Sequence, residues 1–342
     1  MKTKVLVVLS APRSGSSLLT SMISKFGVNL GNVWELKKGS IHNKYGYFEN
    51  REILEINEAI LAGSQNDVTT QTLRTIGISS LEVNKATKNW NWCTHYKPIS
   101  KDIQLPIEIA RRMENVARTF DTGTSLPVWK DARFCITLPA WLRFIDPMCI
   151  IIWRSPDETA TSIRKMLAIP YAQGIDLWFN YTRSAIEVAR PFPHLVVSHA
   201  DILRKPHHIA NLIARFIGKR ATRITDDMID EAANVLDTQQ HRQRAAETPN
   251  SSENDSKDIK QLTACFSDEN RPLPDSIVPT LPIEYLPMIG AIRYLKNRNL
   301  IRILGLLTRL PGYNLTRNIY HKIIYQLEFK ISGPVKRKSR PK

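Results

Sequence analysis

The sequence predicts an α/β protein, a parallel sheet covered by helices on both faces, and two observations carry that prediction. Four short β-branched or apolar runs, Val5 to Leu9, Pro127 to Trp129, Cys149 to Trp153 and Leu195 to Ser198, have the length and composition of buried strands. Helical patterns separate them, and strands alternating with helices imply parallel βαβ units. A third observation places a site: the first run ends in a turn of small residues, Pro12 to Ser17, that feeds directly into a helix.

Val5 to Leu9 is of strand length, too short for a signal sequence with its cleavage site or for a membrane span. Leu18, Leu19, Met22, Ile23 and Phe26 then form one face of a helix that Gly27 closes. Arg51 to Gln104 reads as largely helical or irregular; with Trp90 and Trp92 it is a candidate substrate lid. After the third strand, Ser155-Pro156-Asp157-Glu158 reads as a capping box, with serine as cap and proline at the first helical position. After the fourth, Ile209, Leu212, Ile213 and Phe216 make a helix started by Pro206 and ended by Gly218.

The polar stretch from Ala245 to Asp258 marks a boundary. The chain divides into a main domain over 1–244, a polar linker or mobile loop over 245–275, and a basic helical extension over 276–342.

Composition excludes general disorder: 42% of the 342 residues are hydrophobic and 23% charged. The net charge of +16 calls for anionic partners. From Arg293 to Lys342 there are thirteen lysines and arginines against one acid, Glu328, so the tail carries most of that excess. Cys93, Cys135, Cys149 and Cys265 have no metal or disulfide spacing and read as buried free thiols. No stretch reaches about 18 uninterrupted apolar residues, so an integral membrane protein is disfavoured.

A strand, a small-residue turn and a helix start place backbone N–H groups and the positive helix end where an anion can sit. Gly15 permits close approach, and Ser16 and Ser17 add hydroxyl donors. The turn is not a nucleotide-kinase loop: Ser16 stands where that motif has its lysine and Ser10 where it has its first glycine. The cation of the turn is Arg13, and the third strand runs into Arg154 rather than a metal-binding aspartate, which suits a second phosphate.

Ala11-Pro12-Arg13-Ser14-Gly15-Ser16-Ser17-Leu18-Leu19 resembles the 5′-phosphosulfate loop of the sulfotransferases that use 3′-phosphoadenylyl sulfate (PAPS), in the form found in bacterial, tyrosylprotein and some carbohydrate members. Val128-Trp129-Lys130-Asp131-Ala132-Arg133 resembles the family's K-D-P-R segment, with alanine in place of proline. Ile151-Ile152-Trp153-Arg154, with Ser162 eight residues beyond the arginine, resembles its 3′-phosphate motif. The resemblance spans about Val5 to Gly218. It implies a P-loop NTPase-like parallel sheet flanked by helices, the sulfotransferase fold, with the basic helical C-terminal extension appended.

The resemblance also implies roles. Arg13, Ser14, Gly15, Ser16 and Ser17 hold the 5′-phosphosulfate, Arg154 and Ser162 the 3′-phosphate, and Lys130 is the catalytic lysine, aided by Arg13. His199 stands where the family often has an adenine-contacting tyrosine and either stacks on adenine or packs. Glu49, in Gly46-Tyr47-Phe48-Glu49, and Glu35 are equal candidates for the general base, with His42 third; Glu49 could equally cap the next helix or pair with Arg51. Trp34, Trp90 and Trp92 are candidates for a sugar or lipid platform, or core.

The expected reaction is transfer of a sulfonate from PAPS to an acceptor hydroxyl, that of a carbohydrate or glycolipid by analogy, leaving adenosine 3′,5′-bisphosphate. No metal and no nucleic acid are expected. A cytoplasmic location is expected, with peripheral contact between the basic tail and an anionic inner membrane face. The competing readings are a metal-dependent kinase-like nucleotide enzyme and a basic protein that binds membrane or nucleic acid.

Overall fold

The computed structural model describes residues 2–37, 46–63, 98–167, 171–218 and 224–239. Four strands, β1 (Thr3–Leu9), β2 (Val128–Lys130), β3 (Ile145–Trp153) and β4 (His194–Ser198), form one parallel sheet in the order β2-β1-β3-β4. The α/β class read from the sequence is the one observed. β3 begins at Ile145, ahead of its apolar run, and so takes Pro147 into the sheet. Cys149 donates its N–H to Pro193 on the β4 side, and Pro147, two residues earlier, points the same way before β4 has begun. The N–H that proline lacks would have had no strand to meet.

Around the sheet lie α1 (Ser16–Ile23), α2 (Arg51–Gly63), α3 (Ile107–Phe120), α4 (Phe134–Trp141), α5 (Pro156–Leu167), α6 (Tyr171–Ala189), α7 (His199–Arg204), α8 (Pro206–Ile217) and α9 (Asp226–Gln239). Because strand side chains alternate in direction, Val5, Val7 and Leu9 enter one hydrophobic layer while Leu6 and Val8 enter the other. In β3, Cys149 and Ile151 face the first layer and Met148, Ile150 and Ile152 the second. Helices α2, α3, α4 and α6 cover the first face, and α1, α8 and α9 the second. This double covering is why the strands read as unbroken apolar runs.

The first layer is anchored by aromatics. Trp129 of β2 lies 5.0 Å from Trp141, 5.7 Å from Phe120 and 6.0 Å from Phe134 between ring centroids. Each such pair adds about 0.5–1.5 kcal/mol beyond the area it buries, so β2 is held firmly despite its three residues.

Several local expectations need correction. The capping box does not form: the Ser155 hydroxyl is buried without a hydrogen-bond partner among the described residues, and Glu158 reaches back to Arg154. An ion pair with an arginine outbids a neutral backbone amide for the carboxylate. Helix α1 starts at Ser16, tightens into a 3-10 turn over Ser24–Phe26, and stops at Gly27 with φ 68°. Helix α7, absent from the sequence reading, follows β4 directly, with the Ser198 hydroxyl accepting from Ala200 and Asp201 N–H.

Cys135 and Cys149 are buried free thiols, and burial pushes the Cys149 thiol up to about 12. Cys93, Cys265, most of the proposed lid with Trp90 and Trp92, the 245–275 linker and the 276–342 extension lie outside the described residues. Among the described residues, no helix is long and apolar enough to cross a membrane.

Candidate active site

The chain leaves β1 toward β2 on one side and later returns to build β3 on the other, so a crevice opens at the carboxyl end of β1. In parallel α/β sheets such a switch point is where ligands bind. Every strand delivers a polar residue there: β1 leads into Arg13 and Gly15, β2 ends on Lys130, β3 runs into Arg154, and β4 into His199. Residues distant in sequence meet because parallel strands present the same end to the same edge.

The turn after β1 is closed by Ser14 N–H donating to the Ala11 carbonyl at 3.3 Å. Arg13 sits in the left-handed region at φ 70°, a conformation costing about 1–2 kcal/mol for a side-chain-bearing residue. Gly15 follows at φ 94°. It precedes α1 without a side-chain cap, and α1 has no acid in its first turn, so the helix's positive end is left for an external anion. The Ser14 hydroxyl is buried and has no hydrogen-bond partner among the described residues, an orphan in a position that an anion's oxygen suits. Ser16 is buried and Ser17 half-buried at the helix start.

His199 is buried and packs over this turn. A Cβ placed on Gly15 would fall within 3.0 Å of His199 Cδ2, closer than real Cβ atoms approach. Gly15 is therefore required twice, by backbone conformation and by the imidazole.

Arg13, Ser162 and Arg154 interlock. Arg13 Nε donates to Ser162 Oγ at 3.1 Å, and an Arg154 terminal nitrogen approaches the Arg13 carbonyl at 3.5 Å. Arg154 Nε is held by Glu158 Oε2 at 2.9 Å, and Trp178 Nε1 donates to the Arg154 carbonyl at 2.8 Å. Burial lowers the Arg13 guanidinium from its ordinary value; nearby Tyr47 partly offsets this, and Arg154 adds to it. Two arginines this close favour an anion that neutralises both.

Lys130 is buried, not a solvated strand-end lysine. Its Nζ donates to Glu49 Oε1 and to the Tyr47 carbonyl, each at 2.9 Å. Lys37 Nζ donates to the other carboxylate oxygen, Glu49 Oε2, at 3.1 Å and lies 4.4 Å from the Tyr47 ring centroid. Burial alone would raise the Glu49 carboxyl, but the charges of Lys130, Lys37 and Arg133 outweigh it and hold the group down to about 2. Glu49 does not cap α2: Asn50 does, its Oδ1 accepting from Glu52 and Ile53 N–H.

Behind Lys130 is a buried polar lattice. Asp131 Oδ1 accepts from the Arg133 backbone N–H at 3.0 Å and from its guanidinium at 2.9 Å, and Arg133 Nε meets Glu58 Oε1 at 2.5 Å. Asn57 donates to Asp131 Oδ2 at 2.9 Å and accepts from Thr137 Oγ1 and Trp141 Nε1. The Asp131 to Arg133 stretch thus fixes the direction in which β2 leaves the sheet.

Glu35 is exposed on the 3-10 turn Val33–Glu35, its Oε2 accepting from Asn50 Nδ2 at 3.2 Å. Trp34 beside it is 83% exposed, so it is not core. His42 lies outside the described residues. Sequence reading missed Lys37 and the Asn57–Glu58 support and quoted Tyr47 only within the Gly46-Tyr47-Phe48-Glu49 run; for Lys37 the signal was a lysine two residues beyond a candidate carboxylate.

No family model and no curated protein sequence matches the chain. Among solved structures, the sulfotransferase domain from the Synechococcus PCC 7002 olefin synthase is similar at 15% identity and a TM-score of 0.39, with 86% of this chain and 95% of that chain covered. The sulfotransferase domain from the curacin biosynthetic pathway is similar at 11% identity and a TM-score of 0.40, with 85% and 97% covered. The site's own residues, rather than these distant likenesses, carry its chemistry.

Proposed function

We propose that this protein is a sulfotransferase that moves a sulfonate from PAPS to an acceptor hydroxyl. The observation that carries the reading is the convergence of Arg13, Lys130 and Arg154 at the carboxyl ends of three adjacent strands, around an uncapped helix start. A donor with a phosphosulfate and a separate 3′-phosphate needs cations at more than one place. The orphan Ser14 hydroxyl and the side-chain-free Gly15 suit the phosphosulfate end. Arg154 and Ser162 are the residues for the 3′-phosphate, and His199 bounds the turn on the nucleotide side.

In the reaction the acceptor oxygen bonds to sulfur as the bond from sulfur to the phosphate oxygen breaks. The electron pair departs with adenosine 3′,5′-bisphosphate, and the acceptor proton passes to a base. Lys130 and Arg13 stabilise the charge gathering on the departing oxygen. Of these two candidate bases, Glu35 suits the role better, because both Glu49 oxygens are engaged by ammonium groups while Glu35 has a single polar side-chain partner among the described residues. The exposed Trp34 beside it supports a carbohydrate or glycolipid acceptor, whose sugar face an aromatic ring can receive. Attachment of the 276–342 tail to anionic membrane belongs to the same reading, through its charge alone.

The test is transfer of labelled sulfonate from PAPS to a panel of sugars and glycolipids, lost in Arg13→Ala and Lys130→Ala. Tight binding of adenosine 3′,5′-bisphosphate without binding of ATP supports the reading; magnesium-dependent ATP turnover overturns it.

A further inference from the structure

The Lys130 ammonium has three N–H donors. One is committed to the Tyr47 carbonyl and one to Glu49 Oε1, which leaves one with no protein partner among the described residues. The two acceptors belong to one short segment that is itself anchored. Lys37 N–H donates to the Glu49 carbonyl at 2.7 Å, and Leu36 and Asn50 form an antiparallel bridge. Lys37 then returns through its side chain to the second Glu49 oxygen and to the Tyr47 ring. Between the two acceptors, Phe48 is held in the left-handed region at φ 53°, a strained conformation that turns the Tyr47 carbonyl and the Glu49 carboxylate toward the same ammonium.

We propose that Glu49 and Lys37 are positioning residues for Lys130: the carboxylate, pinned through its second oxygen by Lys37, holds the Lys130 ammonium in place and leaves one N–H for the oxygen that departs from sulfur. This rests on the sulfotransferase reading above. Glu49 is then not the group that takes the acceptor proton. It faces Lys37, Lys130 and Arg133, with Tyr47 alongside, and accepting a proton would break the ion pairs that hold the site together.

The experiment uses the full chain and two readouts. The first is transfer of sulfonate from 4-nitrophenyl sulfate to adenosine 3′,5′-bisphosphate, in which the phenolate leaves without needing a proton. A positioning role predicts that Glu49→Gln slows this reaction by about 100-fold, as removal of a charge-stabilising contact does. Glu49→Asp recovers part of the rate, and Lys37→Met costs less than Glu49→Gln. A Glu49→Gln protein with the wild-type rate in this assay, and slowed only with hydroxyl acceptors, overturns the proposal and makes Glu49 the base. The second readout needs no donor: in protein labelled with 15N-lysine, the Lys130 ammonium signal, assigned with Lys130→Arg, is protected from exchange with water in wild type and loses that protection in Glu49→Gln. Unchanged protection overturns the proposal as well. Wild-type protein that neither binds adenosine 3′,5′-bisphosphate nor transfers sulfonate overturns the parent reading instead, while the lysine exchange still reports whether Glu49 holds Lys130.

Discussion

Gly15 and His199 occupy adjoining space at the carboxyl edge of the sheet, so that a side chain cannot be added at position 15 while the imidazole stays in place. A Cβ at position 15 would enter the imidazole. Gly15→Ala is therefore expected to destabilise the fold and to weaken binding of adenosine 3′,5′-bisphosphate. In a His199→Ala background the same substitution should cost less, with a coupling of about 1 kcal/mol or more. The double variant stays below His199→Ala alone, because the strain of φ 94° remains. Urea denaturation of the four proteins measures the cycle.

Arg154 is held on its Nε side by Glu158 and through its carbonyl by Trp178, which leaves much of its fork to a ligand. Arg154→Gln should weaken adenosine 3′,5′-bisphosphate binding by about 10–100-fold, the value of a charge-assisted hydrogen-bonding pair. Ser162→Ala should cost less directly but removes the contact that orients Arg13 Nε, so its effect should be larger on turnover than on binding. Calorimetric titration and steady-state kinetics separate the two.

Asp176, on α6, is raised by burial to about 6. An acid whose folded value is raised favours the protonated native state. Its ionisation therefore costs stability progressively as pH rises from the ordinary aspartate value through about 6, and the full cost is present above that. Asp176→Asn should match wild type near pH 4 and exceed it in urea midpoint at pH 8. Equal midpoints at both pH values would contradict the assignment.

Asn57 joins α2 to α4 by satisfying Asp131, Thr137 and Trp141 together. Asn57→Ala strands Asp131 Oδ2 and Trp141 Nε1, while Thr137 Oγ1 keeps its bond to the Arg133 carbonyl, and the change is expected to cost about 2–4 kcal/mol. Because Asp131 also orients Arg133 behind Lys130, turnover should fall more than donor binding does. Thermal denaturation and kinetics of this variant test both statements.

Much of the fold was legible because it is built from local rules. A strand covered on both faces is apolar throughout, which is why Val5 to Leu9 and Cys149 to Trp153 stand out in the sequence. A turn that must pass a histidine ring and start a helix uncapped uses Gly15 and serines. Where local rules compete, the reading failed: Ser155 and Glu158 have the spacing of a capping box, but Arg154, one residue earlier, offers Glu158 a charged partner.

By itself, then, the sequence determined the alternation of strands and helices, the small-residue turn at the start of α1, and the identity of the strand-end cations Arg13, Lys130 and Arg154. These depend on side-chain periodicity, backbone permissiveness and charge, all local properties. Only the tertiary structure decided which groups pair with those cations: Ser162 with Arg13, Glu158 with Arg154, and Glu49 with Lys130 and Lys37. Parallel strands bring Ser162 to Arg13 from 149 positions along the chain, and His199 to Gly15 from farther still. A carboxylate's role as base or clamp is set by the ammonium groups that reach it, and no spacing in the chain records that distance.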